Sequence, residues 1–428
     1  MDKLVINGGK KLFGKATVPV AKNAVLPIIA ASLMLDGESC IKSCPYLSDI
    51  VASRDIINAV GSTAVLQNGD FTVFYTDSEV YQIPQDLCSR MRSAVLYIAP
   101  LLYRKGKITV GLPGGCNIGK RPIDIHIDGL CSMGAKVEYS EDEITFSAPD
   151  GLKGTNFKLR VPSVGATQTL IMAAVTARGL TILKNCAKEP EIVDLAHFLN
   201  SAGAKITRAG KGDIIIQGVS SLKGVEYTPI ADRIFAATVL SGVNACGGVC
   251  FIKNYPQEYM GKMENLLRQT GLNIIHAGNS AFVFKYGERV SDIKVHTGYY
   301  PAFSTDMGPL LSSAMVNNGG SIDMYETVFE NRFSYKTEFE KLGMFCIAEG
   351  REYYQRKNKD IYIANLVAKD LRAGAALVVA ALAKKGCFAV EGVEFIDRGY
   401  EKIENVFTAL GADIRRVSVD REQANETE

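Results

Sequence analysis

Apolar residues recur along the chain in two patterns. In one, every face of a helix would be apolar: 24–35, 93–102, 166–177 and 373–383 read this way. A helix without a polar face has to be buried. In the other, an amphipathic helix ends at a glycine and a strand follows. Those glycines are Gly61, Gly134, Gly203, Gly271, Gly343 and Gly411, spaced 73, 69, 68, 72 and 68 residues apart. Glycine just past a helix end supplies the left-handed cap, and so regular a spacing implies six copies of one supersecondary unit. Each unit reads in one order: buried helix, glycine-containing turn, short strand (107–110, 181–183 and 388–390 are examples), loop, amphipathic helix, cap glycine, and one or two further strands. That length suits a βαβαββ arrangement. Six wholly apolar helices cannot share one centre in 428 residues. Two groups of three, walled by strands and outer helices, give two α/β domains with a cleft between them as the default ligand site.

The polar residues fall at equivalent places. Lys22 and Asn23, Arg90 and Arg92, Ser163 to Gly165, Asp232 and Arg233, Thr305 and Asp306, and Asp370 with Arg372 stand where the six buried helices begin. Cys44 to Tyr46, Cys116 to Arg121, Glu189 to Glu191, Tyr255 to Gln257, Glu330 to Arg332, and Asp397 with Arg398 follow the strands. In similar units these positions gather at one end of each domain. Helix N-termini add N–H groups and a positive dipole end there, and arginine grips phosphates and carboxylates in bidentate fashion. Asp232, Asp370, Glu189 and Glu191 are open to two readings, as caps and arginine partners or as groups that meet a ligand.

One loop carries a candidate for chemistry. In Leu112-Pro-Gly-Gly-Cys-Asn-Ile-Gly-Lys-Arg-Pro-Ile-Asp-Ile-His126, the Cys116 thiol stands beside Lys120 and Arg121. Neighbouring cations favour the thiolate, and glycines let the backbone approach a ligand closely. The other reading is a buried cysteine beside an ordinary surface loop. Composition narrows the field further. With 48 basic and 46 acidic residues and a net charge of +2, general nucleic-acid binding is not expected. The start of the chain does not resemble a signal peptide, and the longest apolar runs are too short to span a bilayer. A soluble, cytoplasmic protein is expected. Ten scattered cysteines without a C-x2-C pair, and four distant histidines, argue against a zinc site or a disulfide framework. The polar tail 418–428 is expected to be disordered.

Taken in order, a set of segments resembles the UDP-N-acetylglucosamine 1-carboxyvinyltransferase (enolpyruvyl transferase) family. They are Ala21-Lys-Asn-Ala24, the Cys116 loop, Arg121-Pro-Ile-Asp-Ile-His126, Ser163-Val-Gly-Ala-Thr167, Glu189-Pro-Glu-Ile-Val-Asp194, Ala-Asp-Arg233-Ile, Thr327-Val-Phe-Glu-Asn-Arg-Phe333, Asp370-Leu-Arg372 and Asp397-Arg-Gly-Tyr-Glu401. The resemblance runs from Leu4 to Arg416. It implies two inside-out α/β domains, each of three βαβαββ repeats with buried helices, divided as 22–229 and 1–21 plus 230–428. It implies transfer of the enolpyruvyl group of phosphoenolpyruvate to the 3-hydroxyl of UDP-N-acetylglucosamine, through a tetrahedral ketal, with release of phosphate and with no metal or organic cofactor. By the same resemblance Cys116 is the general acid and the site of a covalent adduct with phosphoenolpyruvate. Lys22, Arg121 and Arg398 clamp phosphate and carboxylate, and Asp306 is the base near the sugar hydroxyl. Asn23, Arg92, Arg121, Pro122, Ile123, Asp124, Ile125, Ser163, Val164, Gly165 and Val328 contact the nucleotide sugar, and Arg332, Asp370 and Arg372 support domain closure and the phosphate site. Neither nucleic acid nor membrane insertion is implied, and a monomer is expected.

The chain departs from the family pattern at Phe235, where glutamate is common, and at Ala302, Ser304 and Met307-Gly-Pro-Leu310, which surround Asp306. Two alternatives follow: a diverged paralogue with a different nucleotide-sugar acceptor, or a non-catalytic relative. Cys116, Lys22, Arg121 and Arg398 count against the second. The 5-enolpyruvylshikimate-3-phosphate synthases share the repeat but lack the thiol loop, and RNA 3'-terminal phosphate cyclases need a histidine motif not found here.

Overall fold

A computed structural model of the chain describes residues 2–111, 123–287, 289–358 and 364–418. Cys116, Lys120, Arg121, Pro122 and the tail after Ser418 lie outside the described residues, as does the side chain of Arg92. The six cap glycines all take left-handed φ values, from 77° at Gly343 to 106° at Gly203. An L side chain is strained in that region, which explains why each repeat ends its outer helix on this residue.

Helices Lys22–Ser32, Ile98–Lys105, Val164–Val175, Arg233–Cys246, Gly308–Ala314 and Leu371–Ala383 form the interior. Two hydrophobic cores divide them. One draws on residues between Val20 and Leu222 and holds the first three helices. The other joins Leu4 to Val18 with Ile234 to Ile414, and in it the last three helices pack on one another. Sheets wall both cores, so the architecture is α/β with helices inside and strands outside.

Each unit closes with a mixed sheet. In the third, Asn156–Lys158 runs parallel to Leu180–Lys184, and Ile214–Gln217 and Lys205–Thr207 continue antiparallel. In the second, the parallel partner shrinks to a single bridge between Gln82 and Thr109. The chain's first strands serve the far half. Asp2–Gly8 sits between Gly386–Glu391 and Asp413–Ser418, and Leu12–Thr17 pairs with Gly248–Lys253. Conversely, Glu226–Tyr227 pairs with Glu38–Ile41 of the first unit.

Two expected helices differ. The run 93–102 is not one helix: a 3-10 turn, Arg92–Tyr97, precedes the α-helix Ile98–Lys105. Restarting at Ile98 places Pro100 in the first turn, where its missing N–H costs nothing. The run 24–35 stops at Ser32, and Leu35 and Asp36 are drawn into a strand beside Leu222 and Lys223. Pro309, flagged as a departure, likewise falls in the first turn of Gly308–Ala314.

Candidate active site

The starts of the interior helices converge on a cleft. One cavity there, of about 490 Å³, is lined by Asn23, Asp124, Ile125, Ser163, Val164, Gly165, Glu189, Arg233, Asp306 and Val328, among others. A second cavity of about 300 Å³ contains Lys22, Asp49, Ile123, His126 and Arg398 and shares Asn23, Ser163 and Gly165 with the first. The two form one continuous surface.

Each group is held by its element. Ser163 caps Val164–Val175 by accepting from the Ala166 N–H. Asp232 and Asp370 cap Arg233–Cys246 and Leu371–Ala383, each accepting two N–H groups. This settles one of their two readings: a carboxylate at a helix start answers unpaired donors and the dipole. Glu191 binds Arg233 at 3.1 Å, with both side chains buried. Asp124 pairs with Arg160.

Asp306 lies in a 3-10 turn, Thr305–Met307, whose start is capped by the Ser304 hydroxyl. Its carboxylate receives Arg332 Nη2 at 2.9 Å and Arg372 Nε at 3.2 Å. The two arginines expected to support the phosphate site therefore engage Asp306. Ser304 does local work as a cap, and Phe235 packs its ring 6.1 Å from that of Tyr400.

Lys22 and Arg398 converge on one carboxylate, Asp49, at 2.6 Å and 3.0 Å. Burial would push Asp49 up, but Lys22 and Arg398 outweigh it and hold the carboxyl below the usual range. Burial pushes the Lys22 ammonium below its ordinary value, and Asp49 opposes that. Burial also raises Glu189, whose Oε1 accepts the Tyr300 N–H at 3.3 Å while Oε2 is buried with no partner among the described residues.

Several cleft residues escape sequence reasoning: Asp49, Ser93, Arg160, Gln168 and Tyr299. An acid in the first turn of Ser48–Ala59 looks like any dipole partner, so Asp49 carries no local signal. Cys116 and Arg121 lie outside the described residues, so the meeting of thiol and cations is not part of this geometry. Among the described residues, no helix is long and apolar enough to cross a membrane.

Two inside-out α/β bodies around a cation-lined cleft are the architecture of the enolpyruvyl transferases. The model of the family "EPSP synthase (3-phosphoshikimate 1-carboxyvinyltransferase)" matches residues 6–407. The enolpyruvyl transferase NikO from Streptomyces tendae superposes with a TM-score of 0.85 at 22% identity, over 98% of this chain and 99% of that one. An EPSP synthase from Acinetobacter baumannii superposes with a TM-score of 0.74 at 18% identity, over 98% and 100%. Sequence similarity goes further. UDP-N-acetylglucosamine 1-carboxyvinyltransferase 2 of Caldanaerobacter subterraneus subsp. tengcongensis is 39% identical, over 97% of this chain and all of its own length. UDP-N-acetylglucosamine 1-carboxyvinyltransferase 1 of Staphylococcus aureus strain N315 is 39% identical, over 98% and 100%. The chain belongs to the UDP-N-acetylglucosamine 1-carboxyvinyltransferase family of enolpyruvyl transferases.

Proposed function

We propose that the chain transfers the enolpyruvyl group of phosphoenolpyruvate to the 3-hydroxyl of UDP-N-acetylglucosamine, the first committed step of peptidoglycan synthesis. The observation that carries the reading is the convergence of Lys22 and Arg398, from the two ends of the chain, on one wall of a cleft that also holds Asp306. In this reading the Cys116 thiol gives its proton to the methylene carbon. The sugar oxygen bonds to the adjacent carbon, and Asp306 takes the hydroxyl proton. The ketal then gives a methyl proton back to the Cys116 thiolate as its C–O bond to phosphate breaks, and the phosphate departs into the Lys22, Arg121 and Arg398 clamp.

A positioned acid lowers the barrier to an oxocarbenium-like centre, and a fixed cationic clamp stabilises the leaving phosphate. A thiol pKa near the operating pH reconciles the acid role with neighbouring cations. Asn23, Ile123 to Ile125, Ser163 to Gly165 and Val328 hold the nucleotide sugar, with Arg92, Arg121 and Pro122. The domains divide as 22–229 and 1–21 plus 230–428, in keeping with the two cores. The enzyme works as a cytoplasmic monomer without metal or organic cofactor.

Purified protein given phosphoenolpyruvate and UDP-N-acetylglucosamine is expected to release inorganic phosphate. Release with a different nucleotide sugar and none with this one would transfer the conclusion to a paralogue of altered acceptor.

A further inference from the structure

Asp49 occupies a costly position. Asp49 is 4% exposed, and its carboxylate sits between two of the three cations assigned above to the substrate phosphate. Oδ2 lies 2.6 Å from Lys22 Nζ, and Oδ1 lies 3.0 Å from Arg398 Nε. A second guanidinium nitrogen of Arg398 reaches Oδ2 at 3.5 Å. A carboxylate here competes with any anion that seeks the same cations, so its presence needs a reason.

The surroundings supply one. Lys22 starts the first interior helix and is 7% exposed. Arg398, after the short helix Val393–Ile396, and Arg372, on Leu371–Ala383, both repel its ammonium. His126, from Asp124–Ser132, lines the same cavity. Among the described residues, Asp49 is the acid paired with the ammonium. Without that charge, burial and the two guanidinium groups all favour the neutral amine, which grips an anion less firmly. Asp49 also stands where the two halves of the chain are braced: the Ser48 N–H donates to the Asp397 carbonyl at 3.3 Å, and the Tyr46 N–H to Glu401 Oε2 at 2.8 Å.

We propose that Asp49 is a positioning residue, which keeps Lys22 protonated and aims Lys22 and Arg398 together at the phosphate of phosphoenolpyruvate. This rests on the reading of those two cations as the phosphoenolpyruvate clamp. Asp49 itself does not touch the reacting atoms.

The test uses the full chain carrying [ε-13C]lysine, with the Lys22 resonance assigned by its loss in Lys22→Arg. Titrated from neutral to alkaline pH, Lys22 in Asp49→Asn is expected to lose its proton about one unit or more below wild type, a tenfold change in the ratio of ammonium to amine at fixed pH. The alkaline limb of phosphoenolpyruvate affinity moves down with it, while affinity for UDP-N-acetylglucosamine at neutral pH stays. Asp49→Glu, which retains the charge, is expected to titrate close to wild type, and it gives the answer if Asp49→Asn does not fold. An unmoved Lys22 titration in Asp49→Asn, or a large drop in Asp49→Glu, overturns the proposal. Wild-type protein that binds no phosphoenolpyruvate at any pH sinks the clamp reading instead, and the lysine titration needs no ligand.

Discussion

Arg332 holds Asp306. Its Nη2 donates to the carboxylate at 2.9 Å, its Nε donates to the Thr305 carbonyl at 3.1 Å, and 2% of its side chain reaches solvent. With Arg372 on the other oxygen, Asp306 is fixed from two sides.

Removing one support should therefore cost both stability and turnover. Arg332→Ala is expected to lose about 1.5–3 kcal/mol in chemical denaturation, the scale of a hydrogen bond to a charged group. Its kcat should fall more than its KM rises, because Asp306 loses aim while the cleft stays. Unchanged kcat would mean that Asp306 does not need this orientation.

Arg398 offers a cleaner split. Arg398→Ala should weaken phosphoenolpyruvate binding about 30-fold, near 2 kcal/mol, with UDP-N-acetylglucosamine affinity largely kept. Calorimetric titration of each ligand reads this directly. Equal loss of both would contradict the clamp.

Thiol reactivity should be selective. Burial pushes Cys44, Cys186, Cys246 and Cys250 up to about 12 and Cys346 to about 11, so none of these is a thiolate at neutral pH. Fosfomycin, an epoxide, is expected to label Cys116, and Cys116→Ser should abolish the adduct in intact-mass spectra. Labelling that persists would put the reactive thiol elsewhere.

The repeat and the cap glycines are legible in the sequence because both are local signals: a helix end needs a left-handed residue at Gly61 or Gly411 whatever lies around it. Cap chemistry is half legible. Asp232 and Asp370 carry an N-cap pattern, yet only the fold shows that one oxygen of each carboxylate takes two backbone donors. The Asp49 bridge is not legible, since its partners come from opposite ends of the chain. The break after Tyr97 is recoverable from Pro100, which restricts where an α-helix can start.

Glu189 gives a pH prediction. Burial raises its carboxyl above the ordinary value of 4.5, so the folded state binds its proton more tightly than the unfolded chain does. Stability from this group is full below about 4.5 and is lost as pH rises through the folded value. Glu189→Gln should flatten that decline in thermal unfolding across mildly acid to neutral pH. An unchanged slope would show that Glu189 is ionised at little cost.

The addition–elimination route has a direct isotopic consequence. A solvent-exchangeable acid delivers a proton to the methylene carbon, and a proton then leaves the resulting methyl group. In deuterium oxide, the enolpyruvyl methylene of the product is expected to carry deuterium, read by mass spectrometry and NMR. Product formed without deuterium at that carbon would contradict the account.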